Sequence, residues 1–130
     1  MEFKENEAIY LQIAALVCDN ILSGKWPANE KILSVRDLAI ELEVNPNTVM
    51  RSYEFLQSIE VIFNRRGLGL YVAGDAFKKV KAFRKKNFFS AQLPDLFKEM
   101  YLLDITPEEI SGQYEKFLSS RKVQHLKNEK

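Results

Sequence analysis

The 130-residue chain has one cysteine, one histidine and no long apolar run, and each scarcity removes a class of protein. With Cys18 alone, no intramolecular disulfide can form, which suits a reducing compartment. The single histidine, His125, stands in a polar tail without cysteine neighbours. Zinc-type ligand spacing is therefore lacking, and His125 reads as a solvated residue. Apolar runs such as Ile13–Cys18 are far too short to span a bilayer. The opening residues Met1–Glu7 lack the basic-then-apolar layout of a signal peptide, so a cytoplasmic location is expected. An excess of one charge is missing too: 19 Lys or Arg stand against 18 Asp or Glu, for a net charge of +1. The sequence also lacks a Gly-rich phosphate loop and a nucleophile–base pairing, so neither an enzyme nor a bound cofactor is expected.

What is present is ordinary in bulk and uneven in distribution. Hydrophobic residues make up 46% and charged residues 28%, as in a globular domain, and 130 residues accommodate one domain or a small domain with an appendage. Residues 1–73 carry seven basic and ten acidic side chains, whereas residues 74–130 carry twelve and eight, giving balances of −3 and +4. The shift near Ala73-Gly74-Asp75 predicts two functional parts, 1–73 and 74–130.

Helical periodicity marks the first part. Ile9, Ile13, Leu16, Val17 and Ile21 form an apolar stripe on a helix over 8–22, which Ser23-Gly24 ends. Ser34 is a good N-cap for a second helix through Leu38, Ala39 and Leu42. Asn45 caps a third, 46–58, with Pro46 at the first position, where its missing N–H is not needed. Val49, Tyr53 and Phe55 or Leu56 face inward on it. Only Glu43 and Val44 separate these two helices, which makes a helix-turn-helix. Val61-Ile62-Phe63 and Leu70-Tyr71-Val72 then flank Arg65-Arg66-Gly67-Leu68-Gly69, a β-hairpin pattern. The expected fold is mainly α with a small β-hairpin: an N-terminal winged helix-turn-helix followed by a C-terminal helical dimerisation arm.

A helix-turn-helix places the start of its second helix in the major groove of DNA. That start carries Asn47 and Thr48, with Arg51 one turn on and on the same face as Asn47. Asparagine can read adenine, arginine can read guanine or clamp a phosphate, and threonine can bond a phosphate or touch a thymine methyl. A solvated helix face is the alternative. Arg36, just behind the Ser34 cap, can strengthen a phosphate site at a helix start or pair with Asp37 or Glu41. Arg65 and Arg66 at the hairpin tip can follow a phosphate or enter the minor groove, with Gly67 and Gly69 allowing close approach or simply making the turn.

Taken together, residues 8–73 resemble the DNA-binding domain of the GntR family of bacterial transcription regulators. The matching stretches are Ile9-Tyr10-Leu11-Gln12-Ile13, Ile21-Leu22-Ser23-Gly24, Leu33-Ser34-Val35-Arg36-Asp37-Leu38-Ala39, Val44-Asn45-Pro46-Asn47-Thr48-Val49 and Arg65–Val72. The Asn45-Pro46-Asn47-Thr48 turn and the short C-terminal part resemble the YtrA-like branch. The resemblance implies DNA contact by Arg36, Asn47, Thr48 and Arg51, with Gly67 and Gly69 at the tip of a wing; the caps Ser34 and Asn45 and the wing arginines Arg65 and Arg66, within 64–70, complete the expected DNA-binding set. Two positions depart from the family pattern: Leu33 stands where proline is usual, and Met50 where many members carry arginine.

Beyond Gly74 lies a second helical stretch from Asp75 to about Leu103, kinked or divided at Pro94. Thr106-Pro107-Glu108-Glu109 starts a last helix, to about Arg121. Eight of the fifteen aromatics fall in this half, more than two or three helices can bury alone. Phe77, Val80, Phe88, Phe89, Leu96, Tyr101, Tyr114 and Phe117 are the expected dimerisation residues, a role the resemblance also implies; the alternative is that these faces fold back onto the winged helix. The basic run 78–86 reads either as a flank to DNA or as a solvated face. The expected partners are a double-stranded, palindromic operator and a second copy of the chain. With no room for a separate sensor domain, any small-molecule effector would bind at the dimer interface or between the domains. The rival reading is a winged helix used for protein contact without DNA.

Overall fold

A computed structural model describes residues 2–128, with side chains through Lys122; the His125 side chain lies outside the described residues. Helix α1 spans Ile9–Leu22, α2 Val35–Leu42 and α3 Pro46–Ser58. Strands β1, Ile62–Arg65, and β2, Gly69–Val72, form an antiparallel hairpin pairing Phe63 with Tyr71 and Arg65 with Gly69. Helix α4 covers Ala76–Asn87, α5 Leu93–Leu102 and α6 Pro107–Asn128.

Local chemistry sets these boundaries. Ser34 Oγ accepts the Asp37 N–H at 3.0 Å, and Asn45 Oδ1 accepts the Asn47 N–H at 2.8 Å, so both helices begin on a side-chain cap. Between them the chain turns at Glu43, which adopts a left-handed conformation (φ 56°, ψ 47°), and the Val44 N–H returns to Ala39 O.

α1 and α2 both pack on α3. Their shared core contains Ile13, Val17, Leu38, Val49, Tyr53 and Leu56, closed by Val61, Ile62 and Val72 of the hairpin region. Ile9 does not join the expected stripe: it is 45% exposed, because the first turn of α1 projects past the core. Two hydroxyls stitch the helices. Ser52, fully buried, donates to Tyr10 O at 2.7 Å and also lies 3.0 Å from Thr48 O. Tyr53 Oη donates to Leu33 O at 2.8 Å, and burial pushes its pKa well above the ordinary value.

The hairpin has a third partner. Segment 29–32 runs antiparallel to β2, with Asn29 N–H to Val72 O, Val72 N–H to Glu30 O and Ile32 N–H to Leu70 O, each 2.9 Å.

The chain forms two compact units, Met1–Lys85 and Lys86–Lys130, that meet inside α4. The reason is packing. Ala76 and Val80 are wholly buried in the N-terminal core, Phe83 meets Phe55 edge-on at 5.6 Å, and Arg84 Nη2 donates to Asp19 Oδ1 at 2.7 Å and Ala15 O at 3.0 Å. Val80, expected on the dimerisation face, is therefore a core residue.

In the second unit a π-helical turn, Phe88–Gln92, precedes α5. Pro94, in the first turn of α5, has no N–H to donate back one turn, and the widened turn accommodates that loss. The interruption thus precedes the proline. α6 begins where Thr106 Oγ1 accepts the Glu109 N–H at 3.2 Å, and it continues beyond Arg121 to Asn128. No described residue of this unit is buried. Phe89, Tyr101, Tyr114 and Phe117 are 54%, 84%, 60% and 55% exposed.

Candidate nucleic-acid interface

Three elements carry the sequence-predicted residues. At the start of α2, Ser34 uses its hydroxyl for the cap, and Arg36 is exposed one position into the helix. At the start of α3, Asn45 caps, Asn47 is exposed and Thr48 is half-buried beside the core residue Val49. Arg51, a turn later, is exposed, and its guanidinium lies 4.0 Å over the Tyr10 ring. Met50 beside it is 47% exposed.

The wing holds the rest. The Leu68 N–H closes the turn on Arg65 O at 2.8 Å, around Gly67 at φ 80°. Gly69, at φ 111°, holds a conformation that a side chain rarely tolerates, which accounts for glycine where β2 begins. Phe63 and Arg65 are two residues apart on β1 and so share a face, with Tyr71 opposite Phe63. The Phe63 and Tyr71 rings stack at 6.0 Å, and the Arg65 guanidinium lies 4.7 Å from the Tyr71 centroid and 5.5 Å from that of Phe63. Arg66 and Leu68 form the exposed tip.

Few cations are paired with carboxylates. Among the described residues, Lys79 pairs with Glu60 and Asp75, and Arg84 pairs with Asp19. Arg36, Arg51, Arg65 and Arg66 enter none of these ion pairs, so the expected alternative of Arg36 held by Asp37 or Glu41 is not realised. No carboxylate among the described residues takes up their donors, which leaves them open to an external anion. Cys18, in contrast, is no reactive group: it is buried, and burial pushes its thiol pKa up.

Sequence reasoning missed Tyr10, Phe63 and Tyr71 as companions of the arginines. The hairpin register could have revealed the Phe63–Arg65–Tyr71 cluster. Tyr10 meets Arg51 only through the packing of α1 on α3, which no local pattern encodes.

The architecture is that of a winged helix-turn-helix regulator. Residues 9–72 match the model of the bacterial regulatory proteins of the gntR family. The chain is 31% identical over 109 residues to the HTH-type transcriptional regulator YhcF of Bacillus subtilis, spanning 84% of this chain and 88% of that one. It is 29% identical to the HTH-type transcriptional repressor YtrA of the same organism, over 82% of each. A crystal structure of a GntR-family regulator from Bacteroides thetaiotaomicron superposes with a TM-score of 0.78 at 44% identity, covering 88% of this chain and 99% of that one. The chain belongs to the GntR family of DNA-binding transcriptional regulators, in its YtrA-like branch.

Proposed function

We propose that this regulator acts in the cytoplasm as a homodimeric repressor on a palindromic operator, with α3 in the major groove and the hairpin on the backbone or in the minor groove. The supporting observation is the set of four exposed arginines, Arg36, Arg51, Arg65 and Arg66, carried by α2, α3 and the wing and outside every ion pair among the described residues. In this reading Asn47 and Arg51 meet base edges or phosphate, and Thr48, Arg36 and the capped start of α2 hold the backbone. Arg65 and Arg66, with Gly67 and Gly69, follow the neighbouring groove. Residues 1–73 read DNA. Residues 74–130 supply the dimer contact, through Phe77, Phe88, Phe89, Leu96, Tyr101, Tyr114 and Phe117; Val80 is withdrawn from this set. Two-fold pairing sets two recognition helices about one DNA turn apart. YtrA of Bacillus subtilis is described as a repressor, which favours that sign of regulation.

The test is titration of the full chain against a duplex of its own upstream region at several salt concentrations. Eight arginines in a dimer should give a log–log salt slope on the order of −4 to −7. Tight binding to the same duplex with a flat slope would overturn the phosphate contacts. No binding to any duplex, including pools of random sequence, would favour the protein-contact reading.

A further inference from the structure

We infer that Tyr10 is a positioning residue for Arg51, holding its guanidinium ready for DNA before the two meet. The inference rests on the proposed DNA reading and adds a residue on α1 to it.

Two observations converge on Tyr10. The Arg51 guanidinium lies over the Tyr10 ring at 4.0 Å, well within cation–π range. The neighbouring residue, Ser52, donates to the Tyr10 carbonyl at 2.7 Å and is itself fully buried. Adjacent positions on α3 therefore hold the backbone and the ring of one tyrosine. Ser52 fixes where Tyr10 stands, and Tyr10 in turn fixes Arg51.

The chemistry of the stack makes this a poised group and not a consumed one. Among the described residues the arginine side-chain hydrogen bonds come from Arg84, so the N–H groups of Arg51 are uncommitted. Those donors therefore remain available to a phosphate or a guanine edge. A carboxylate partner would occupy them, and Arg51 has none among the described residues. Stacking also restricts a long side chain that would otherwise lose rotamer freedom on binding DNA. Only a planar cation gains both effects.

The test uses the full chain and a duplex enriched from random-sequence DNA by the wild-type protein. Affinities are measured for Tyr10→Leu, Arg51→Ala and the double variant. Tyr10→Leu should weaken binding by roughly three- to tenfold, while in the Arg51→Ala background the same change should have almost no effect. Tyr10→Phe should bind like wild type, since the ring is retained. Arg51→Lys should bind more weakly than wild type, because an ammonium does not stack as a plane. Independent, multiplying losses in the double variant would overturn the inference, as would Tyr10→Phe behaving like Tyr10→Leu, which would mark a direct hydroxyl contact. If Tyr10→Leu does not fold, the Phe and Lys variants decide, and unchanged binding by Arg51→Lys overturns the inference. Failure of the wild-type protein to enrich any duplex would instead remove the DNA reading itself.

Discussion

Val80 and Phe77 stand three residues apart on α4, yet truncating them should have opposite consequences. Val80 is 0% exposed within the N-terminal core, whereas Phe77 is 49% exposed. Val80→Ala removes two buried methyl groups, at about 0.8 kcal/mol each for transfer to water. The unfilled cavity raises the total to about 2–3 kcal/mol. With a urea dependence of about 1–3 kcal/mol per molar, the unfolding midpoint should fall by roughly 0.7–3 M. Trp26, the single tryptophan, packs against this same core, so its fluorescence follows the unit concerned. Sedimentation at matched concentration should show association unchanged by Val80→Ala. Phe77→Ala should leave the midpoint nearly unmoved and weaken association. A Val80→Ala protein that dissociates while its midpoint stays at the wild-type value would put Val80 in the interface and not in the core.

Two further outcomes follow from the packing. Phe117→Glu places a charge in the exposed apolar stripe of α6, and should yield a folded monomer by sedimentation if that face pairs with a second copy; an unchanged dimer would exclude Phe117 from the interface. The Cys18 thiol titrates above its ordinary 9.0 because it is buried, so the native state retains a proton that the unfolded chain releases. This group's contribution is full below about pH 9 and is lost as pH rises through the native value. Cys18→Ala should therefore lessen the fall in Tm as pH rises above about 9, and parallel Tm profiles would refute that linkage.

The helix-turn-helix was legible because its signals are local. Ser34, Asn45 and Pro46 announce helix starts through chemistry confined to one turn, and the stripe from Ile13 to Ile21 follows a fixed period. Phe63 and Tyr71 flank a glycine turn, which was enough to locate the hairpin. The strand-like segment 29–32 was not legible, since it pairs with a strand some forty residues later and has no alternation of its own. The placement of Val80 failed for a related reason: an apolar stripe on a helix does not say which surface will cover it. The part of α4 before Lys86 found its cover in the preceding domain. The arginines were legible as charges, but their seats on Tyr10 and Tyr71 depend on packing and strand register.

Segment 29–32 has a mechanical consequence for the wing. A two-stranded hairpin alone is marginal in water, and its tip would sample many orientations. Here β2 is hydrogen-bonded on both edges, and Ile32 leads within two residues to the Ser34 cap of α2. Wing and α2 are thus tied together by the same short stretch of backbone. A wing held on both edges has fewer orientations to lose at the encounter with a ligand, and β2 links Arg65 by backbone hydrogen bonds to the segment that leads into the helix carrying Arg36.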